Sequence, residues 1–474
     1  MRAVRRFCLG NSLLVLCILG CERRPPVAPA IQAASEAQAY DFAPLAFLGD
    51  PAPKGGEFTF DFEPSSVNNS GAVSFAADVT TGGEGVFVDR RGELTEIARS
   101  GDAAPGGGTF SPFGALFGSD APINDRGDIS FAFTLTPFSL PLGVNTGLYR
   151  FSHATGTVEA VVVPEVTPAP GGGVFAGTAG ALINNHGDIA FEAVLHGADI
   201  APGPPGVEGL GLGMGGAVAD RNGRISSLVS PGDLAPGGGI FDFAEVLSIN
   251  DHGDVTFNAH IDGDECLALS SRGQGRRIGC LGSAFVKEAA TGQIRLLARQ
   301  GGPAPGGGTC RGATRSLVNN QGQIVFGCDM GSAGEPLFER MGMFFRADGV
   351  TIPIVRPGDP MPGGGSNLRA GAGNLVHLND AGDVTFAARL ETGEDGLYVW
   401  SRGSLGLVAR TGTVIPGVGT IVGVVPPDLV GTQRFPWEGI GANDLGQVLF
   451  TAAVDDGSGT LRGVLVLATP RRTT

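Results

Sequence analysis

Carboxylates and guanidinium groups recur at fixed positions around a glycine-rich loop. A Gly-Asp pair precedes the loop at four equivalent corners, and an arginine precedes it four times: Asp50, Asp102, Asp233 and Asp359; Arg99, Arg299, Arg356 and Arg410. Gathered around one opening, these groups would form a polar rim able to hold a cation or a sugar. The alternative is a scaffold role, in which each aspartate caps its own turn and pairs with the nearby arginine. Recurrence favours the scaffold role.

Residues that break the repetition are the other candidates for binding. The insertion 422–442 carries Arg434 and Trp437, and the chain has only two tryptophans. An exposed tryptophan can stack on a sugar ring, whereas core packing is the alternative. The candidate ligand-binding set is therefore the four loop aspartates together with Arg434 and Trp437.

Enzyme and metal signatures are sparse. No catalytic residue can be named, since the sequence contains no G-x-S-x-G, H-E-x-x-H, C-x-x-C or G-x-x-x-x-G-K-[ST] motif. A single G-x-G-x-x-G, beginning at Gly211, lies in the glycine-rich stretch 203–216, which we expect to be a flexible loop. No metal or cofactor is predicted. Calcium at the turn carboxylates Asp128, Asp188, Asp254 and Asp383 stays open, although one carboxylate supplies few of the 6–8 oxygens that calcium prefers.

Two markers alternate along the chain, each in seven copies. The first is the loop G-D-x-x-P-G-G-G-x-F, as in GDAAPGGGTF from Gly101, repeating roughly every 60 residues. The second is N-[ND]-x-G-x-[IV]-x-F, as in NDRGDISF from Asn124. Asn-x-x-Gly is turn chemistry, and the alternating residues after it predict a half-buried strand. Two further strands complete each unit.

Four short antiparallel strands per unit predict an all-β fold, a seven-bladed β-propeller of four-stranded blades. The seventh unit lacks its fourth strand, and a matching strand begins at Phe42, so the N-terminal strand should complete the last blade. Closure of this kind hides sheet edges. An open β-solenoid and a pair of β-sandwiches are the alternatives.

Four cysteines belong to the expected folded part. Cys310 replaces the loop phenylalanine of other units, and Cys328 replaces the alanine two residues after the strand phenylalanine. The two therefore face each other across one hairpin, and we predict the disulfide Cys310–Cys328. Cys266 and Cys280 bracket an insertion, and we predict that they form a second disulfide. Four free buried thiols are the alternative.

Composition narrows the class of protein. The 474 residues include 80 Gly and 32 Pro, an excess that could signal disorder, but 42% are hydrophobic and 28 are Phe, which favours a folded core. The formal net charge of −15 argues against nucleic-acid binding. A monomer is expected.

The N-terminus resembles a bacterial lipoprotein signal. Residues 1–21 join Arg2, Arg5 and Arg6 to a short apolar run that ends in Leu-Gly-Cys21. The resemblance implies that Cys21 carries lipid and anchors the chain to a membrane outside the cytoplasm, at the outer membrane or cell surface. An ordinary secretory signal is the alternative. Residues 22–41 are predicted to be a flexible linker, and residues 42–470 the propeller.

The second marker resembles the tandem NxxGxxxF repeat of bacterial surface proteins, whose anchor type varies. That resemblance covers nearly the whole mature chain and implies surface attachment and repeat architecture, with no activity or catalytic residue. We therefore expect a surface lipoprotein that binds a glycan or an envelope protein. A carbohydrate-active hydrolase or lyase with acids at the channel mouth is the main alternative, and a purely structural envelope protein is another.

Overall fold

The computed structural model describes residues 39–111, 121–136, 145–196, 212–262, 264, 266–269, 277–280, 282–332, 334–371, 375–424 and 439–471. Within these residues the secondary structure consists of β-strands, turns and bends, without a helix. In the described part of the chain, no helix has the length and apolar character needed to cross a membrane. The all-β class predicted from the sequence is confirmed.

The first repeat shows how the motif becomes a sheet. It consists of β2 (Phe58–Val67), β3 (Val73–Val79), β4 (Gly83–Arg90) and β5 (Glu93–Arg99), paired in sequence order. The turn between β2 and β3 is the Asn68 motif, and its Gly71 has φ of 81°. In all seven motif turns the glycine has φ between 70° and 88°, a conformation that other residues rarely adopt. The motif therefore sets each hairpin.

Later repeats pair in the same antiparallel manner. The second contributes β6 (Thr109–Phe110), β7 (Ile129–Thr136), β8 (Thr146–Ser152) and β9 (Thr157–Val162). An eight-stranded sheet follows, with β10 (Val174–Ile183), β11 (Ile189–His196), β12 (Leu212–Ala219), β13 (Ile225–Val229), β14 (Phe241–Ile249), β15 (Val255–Ile261), β18 (Ser283–Lys287) and β19 (Ile294–Ala298). One parallel residue pair, Met214 with Phe243, joins its two halves.

The remaining described strands form two short hairpins and two larger sheets. The hairpins are β16 (Cys266–Leu269) with β17 (Arg277–Cys280), and β20 (Gly302–Pro303) with β21 (Thr309–Cys310). A nine-stranded sheet contains β22 (Gly312–Val318), β23 (Ile324–Asp329), β24 (Met341–Ala347), β25 (Val350–Val355), β26 (Asn367–Ala370), β27 (Val376–Leu378), β28 (Val384–Leu390), β29 (Asp395–Ser401) and β30 (Ser404–Arg410). Its halves also meet through one parallel pair, Met341 with Arg369.

The first described strand pairs with the last described strand. The seventh sheet has six strands, which are β31 (Val414–Ile415), β32 (Gly419–Gly423), β33 (Gly441–Ala442), β34 (Val448–Asp455), β35 (Leu461–Pro470) and, on the far side of β35, β1 (Tyr40–Phe47). Tyr40 is opposite Pro470, and Phe47 is opposite Val464. Strand β1 begins two residues before the boundary expected at Phe42, because Tyr40 is buried against this sheet.

The hydrophobic core lies between successive repeats. In the described residues, seven clusters of buried apolar side chains each join one repeat to the next. One of them packs Leu449 and Leu465 of the last repeat against Phe58 and Phe75 of the first. Strand β3 is buried on both faces apart from its partly exposed Asp78, whereas the sequence predicted a half-buried strand. Neighbouring sheets cover both faces, so alternation along one strand underestimates burial.

The glycine-rich stretch is partly a strand. The sequence predicts a flexible loop over 203–216, but Leu212–Ala219 is β12 and pairs along its length with β11. A Cβ at Gly216 would lie 2.8 Å from Leu228 Cδ2 and 2.9 Å from Val246 Cγ2. Glycine is needed here because neighbouring side chains approach the backbone closely. The prediction was wrong for the C-terminal part of this stretch.

The cysteine predictions meet different outcomes. Cys310 and Cys328 form a disulfide with Cα atoms 5.3 Å apart, which confirms that prediction. Both are buried in the cluster that contains Phe326. Cys266 and Cys280 are directly opposite each other at the end of the β16–β17 hairpin. The backbone therefore brings the second pair together, and the Cys266–Cys280 disulfide stays a prediction.

Deleting residues 39–47 should destabilise the whole domain. The deletion removes β1, exposes the edge of β35 and uncovers apolar surface, so we expect the free energy of unfolding to fall by at least about 3 kcal/mol. Urea denaturation followed by fluorescence measures the change. Deletion of 22–38, which is most of the linker predicted over 22–41, is the control and should leave the midpoint in place. Equal midpoints for the two deletions would contradict closure through β1.

Candidate functional site

Seven motif asparagines form a closed ring of hydrogen bonds. The Nδ2 of each one donates to the backbone carbonyl of the next, at distances of 2.9–3.1 Å. The order is Asn68, Asn124, Asn184, Asn250, Asn319, Asn379 and Asn443, and the last donates to the first. All seven are buried. The ring therefore joins the two ends of the repeat array without an interruption.

The same side chains also shape their own turns. Asn250 Oδ1 accepts from the backbone nitrogens of His252 at 3.0 Å and Asp254 at 2.8 Å. Its Nδ2 donates to Asn319, so one side chain fixes its own turn and connects it to the next repeat. Buried amides with paired donors and acceptors hold one geometry, because leaving either unpaired is costly.

A second ring consists of the residues that directly follow these asparagines. It contains Asn69, Asp125, Asn185, Asp251, Asn320, Asp380 and Asp444. The backbone nitrogen of each donates to the side-chain Oδ1 of the next, at 2.6–3.0 Å, and Asp444 donates back to Asn69. The carboxyl and amide groups are thereby fixed in a circle.

Asparagine and aspartate alternate around the second ring except at one step. Asn320 Nδ2 donates to Asp251 Oδ2 at 2.9 Å and to Asp380 Oδ2 at 2.6 Å. Asn69 Nδ2 likewise donates to Asp125 and Asp444. A ring of seven cannot alternate completely, and the two adjacent carboxylates are Asp380 and Asp444. Burial raises the pKa of Asp380, and the charges of Asp444 and Asp251 raise it further against the hydrogen bonds from Asn320.

Both rings line one central pocket of about 180 Å³. The residue before each ring asparagine also lines it, and these are Val67, Ile123, Ile183, Ile249, Val318, Leu378 and Ala442. His377 is in the same wall, and its Nδ1 is buried without a hydrogen-bond partner among the described residues. Burial lowers the pKa of His377 to about 4, so the imidazole is neutral at pH 7. The second ring and His377 together give the pocket four carboxylates, three amides and one neutral imidazole, beside the amides of the seven motif asparagines.

The loop aspartates predicted from the sequence are elsewhere. Each accepts a hydrogen bond from the backbone nitrogen three residues earlier: Asp50 from Phe47, Asp102 from Arg99, Asp233 from Ser230 and Asp359 from Arg356, at 2.8–3.0 Å. The central pocket is not lined by any of the four. Their carboxylates cap the turns that open each glycine-rich loop.

The recurrent arginines bind glycine-rich loops rather than these carboxylates. Arg99 donates to the carbonyl of Gly55, and Arg356 to that of Gly306, each in the loop that opens its own repeat. Arg410 donates in the same way to Gly363, and Arg299 to Gly238. The expected side-chain pairing of arginine with the loop aspartate is replaced by this contact, because the loop carbonyls are within reach of the guanidinium.

The turn carboxylates considered for calcium accept backbone hydrogen bonds. Asp128 accepts from His153, Asp188 from Arg221 and Asp254 from Ala289, each at 2.9–3.0 Å. These contacts connect adjacent hairpin turns within one repeat. Over the described residues, no group of three or more His, Cys, Asp or Glu side chains is arranged to hold a metal ion.

Three predicted residues lie outside the described part of the chain. These are Cys21, Arg434 and Trp437. Neither the second ring nor the pocket position of His377 was predicted from the sequence. The second ring did leave a signal, since the residue after the motif asparagine is Asn or Asp in all seven copies. His377 left none, because its position before the motif varies among repeats.

A second polar cluster breaks the symmetry of the ring. His260 Nδ1 is 2.7 Å from Asp242 Oδ2, and its Nε2 is 3.2 Å from the Asp264 carbonyl. The Asp264 carboxylate pairs with Arg299 at 2.7 Å. The hydrogen bond to Asp242 raises the pKa of the buried His260, against the effect of burial. This cluster borders the insertion that contains the β16–β17 hairpin.

A closed ring of antiparallel sheets around a polar axis defines a β-propeller. Over residues 24–470 the sequence matches the model of DUF7453, a family of unknown function, and the chain belongs to that family. A search of curated proteins finds no match.

Solved structures similar to this chain include propellers, peptidases and lyases. One is the β-propeller domain of the trilobed protease from Pyrococcus furiosus (10% identity, 85% of this chain and 98% of that chain, TM-score 0.44). A prolyl endopeptidase matches at 11% identity over 88% of this chain and 51% of its own, with TM-score 0.47. An ulvan lyase of family PL25 matches at 13% identity over 92% and 96%, with TM-score 0.42. This chain therefore spans about half the length of the endopeptidase.

Replacing one ring asparagine should destabilise the fold strongly. Asn250→Ala removes the hydrogen bonds to Asn319, His252 and Asp254 from a buried site, and we expect a loss of about 2–4 kcal/mol. Chemical denaturation at pH 7 measures it. Asn222→Ala, at an exposed hairpin turn, is the control, with an expected change within about 0.5 kcal/mol. A small effect at Asn250 would contradict the role of the ring.

The low pKa of His377 predicts a specific acid sensitivity. The unfolded chain takes up a proton near pH 6.5, whereas the folded chain does so only near pH 4. Stability therefore falls as pH drops below 6.5, by about 2 kcal/mol between pH 7 and pH 5 from this group. Urea denaturation at pH 7 and at pH 5 measures this loss. Between the two pH values, the free energy of unfolding should fall by about 2 kcal/mol more for the wild type than for His377→Gln. Equal losses would show that His377 does not titrate in this way.

Proposed function

We propose that this protein is a surface-anchored lipoprotein whose seven-bladed propeller, with four strands in each blade, acts as a binding module for a glycan or protein ligand. The division into seven blades is supported by the seven asparagines of the ring and by the seven apolar clusters between repeats in the described residues. In this division β1 supplies the fourth strand of the last blade, which makes the ring continuous in a monomer.

The central pocket is the observation that carries the binding role. Its polar groups are fixed before any ligand arrives, because every member of the second ring donates to one neighbour and accepts from another. Preorganised groups lose little conformational entropy on binding. Carboxylates held at an axis also concentrate negative charge, which favours cationic or hydrogen-bonding ligands.

The proposed location outside the cytoplasm rests on the N-terminal sequence and on the disulfide. The lipobox-like segment that ends at Cys21 supports lipid attachment, and 22–41 would separate the lipid from the domain. The Cys310–Cys328 disulfide supports an oxidising compartment outside the cytoplasm. Together these features support a site at the outer membrane or cell surface. Neither nucleic acid nor a cofactor is part of the proposal.

A carbohydrate-active enzyme is the second candidate. The observation that favours it is a cluster in which the Asp242 carboxylate contacts His260, the Asp264 carbonyl contacts the other ring nitrogen of His260, and the Asp264 carboxylate pairs with Arg299. Paired carboxylates can provide the acid and the base of glycoside cleavage. His260 hydrogen-bonded to Asp242 could move a proton at its ring nitrogens.

The proposed function predicts both anchoring and binding. The full-length chain should incorporate labelled fatty acid and partition with membranes, and Cys21→Ser should do neither, while Cys17→Ser behaves as wild type.

Residues 22–474 should retain a ligand on glycan arrays or in envelope pull-downs. Asp125→Asn with Asp251→Asn should weaken retention about tenfold, by neutralising two pocket carboxylates. Failure to bind any ligand contradicts the module, and cleavage of a polysaccharide that is lost in Asp242→Asn favours the enzyme.

A further inference from the structure

The two ring nitrogens of the buried His260 both face hydrogen-bond acceptors. Nδ1 is 2.7 Å from Oδ2 and 2.8 Å from Oδ1 of Asp242, and Nε2 is 3.2 Å from the backbone oxygen of Asp264. An ionised carboxylate and a carbonyl only accept hydrogen bonds, whereas a neutral imidazole has one donor and one acceptor. The ring therefore satisfies both neighbours only when both nitrogens carry a proton. The geometry is that of a positively charged imidazolium.

The fifth repeat places a permanent cation at the same position. Arg311 follows the loop cysteine, just as Asp242 follows the loop phenylalanine in the fourth repeat. Asp329 comes three residues after the strand phenylalanine, as His260 does. Arg311 pairs with Asp329 at 2.7 Å and also donates to backbone carbonyls of the segment that follows β23. These carbonyls belong to Ser332, Glu335 and Pro336.

The two repeats therefore use the same contact with different cations. In each of them, one cation binds a carboxylate across the first hairpin and a carbonyl of the segment between the second and third strands. Arginine keeps its charge throughout the pH range in which proteins are folded, whereas histidine loses its charge near neutrality. The contact is permanent in the fifth repeat and depends on a proton in the fourth.

The His260 contact connects several parts of the fourth repeat. Asp242 is in β14, His260 in β15, and Asp264 follows β15. The Asp264 carboxylate pairs with Arg299 at 2.7 Å, and Arg299 donates to the carbonyl of Gly238 in the glycine-rich loop at 3.4 Å. The hydrogen bond to Asp242 raises the pKa of His260, against the effect of burial, and the charges of Asp242 and Asp264 raise it further.

Loss of the proton would break the contact with Asp264. A neutral ring can keep its proton on Nδ1, facing the Asp242 carboxylate, but its Nε2 lone pair then faces the Asp264 carbonyl oxygen. The other tautomer would place a lone pair against the carboxylate, which is less favourable because that group is charged. Two acceptors in contact repel each other, so the neutral ring releases the Asp264 carbonyl.

We propose that His260 is a pH-dependent switch of the fourth repeat, in which the imidazolium holds Asp264 and loss of the proton loosens the segment that follows β15. The contact is complete below pH 6.5, the ordinary pKa of histidine, and is lost as the pH rises through the raised pKa of the folded protein. His377 acts in the opposite direction, since its effect develops below pH 6.5. The switch is additional to the proposed binding role and needs no ligand.

Titration of the histidine rings tests the first step. Residues 22–474, labelled with carbon-13 at histidine Cε1, contain all six histidines, and the NMR signal that disappears in His260→Gln belongs to His260. We expect this signal to titrate above pH 6.5, and Asp242→Asn to lower its midpoint, because the charge that favours the imidazolium is removed. A wild-type midpoint at or below pH 6.5 overturns the inference.

Amide hydrogen exchange tests the release of the segment. The Asp264 amide donates to the Ile261 carbonyl at 2.9 Å, so a peptide that contains Asp264 reports on this segment. Between pH 6 and pH 9, after correction for the intrinsic pH dependence of exchange, its protection should fall at least about tenfold, because a charge-assisted hydrogen bond is lost. His260→Gln should have the lower protection at both pH values. Unchanged wild-type protection, or equal protection of His260→Gln and wild type at pH 6, overturns the inference.

Two further variants serve as controls. His252→Gln, at an exposed motif turn, should respond to pH as the wild type does. Asp242→Arg combined with His260→Asp copies the Arg311–Asp329 pair into the fourth repeat, and its protection should be the same at pH 6 and pH 9. A pH response that persists in this exchanged variant, once circular dichroism shows that it is folded, overturns the assignment to His260. If the exchanged variant does not fold, the comparison of wild type with His260→Gln decides the question.

These measurements are independent of the proposed binding role. None of them uses a ligand, so a failed titration or an unchanged exchange rate removes the switch and leaves the binding module in place. Absence of any ligand in the binding screens would likewise remove the module without affecting the switch.

Discussion

The side-chain amide of each motif asparagine donates to the carbonyl of the next motif asparagine, and seven such bonds close a circle. This constraint determines much else in the molecule. It sets the position of each hairpin relative to its neighbour, and it brings the last repeat into contact with the first. The strand β1 and the apolar cluster between Leu465 and Phe58 complete the same closure at a larger radius. Loss of one amide therefore affects two repeats.

Two kinds of contact stabilise the molecule, one at the motif turns and the other at the glycine-rich loops. At the motif turns, asparagine side chains join repeat to repeat. At the glycine-rich loops, an aspartate caps the turn and an arginine holds a glycine carbonyl. Because these residues serve the same purpose in several repeats, they maintain the scaffold. Residues that differ among repeats, such as His377 and His260, are where a specific ligand or reaction would be recognised.

The second ring has seven members, and this odd number affects the distribution of charge in the pocket. Amide and carboxylate groups can alternate around an even ring with each charge bridged by neutral donors. An odd ring leaves two like groups adjacent, here Asp380 and Asp444. The raised pKa of Asp380 follows from its burial and from these neighbouring charges. The architecture thus concentrates unbalanced charge at one point of an otherwise regular circle.

The sequence by itself determined the all-β class, the repeat positions, the pairing of the first strand with the last and the Cys310–Cys328 disulfide. Each of these depends on local turn chemistry or on equivalence between repeats, which is visible along the chain. The tertiary structure alone decided which polar residues meet. Asp50 and Asp380 each occupy a position that recurs in one of the two motifs. The carboxylate of Asp50 caps a turn, however, whereas that of Asp380 faces a shared pocket. The distance of a side chain from the axis depends on how seven repeats pack together, and spacing within one repeat does not contain that information.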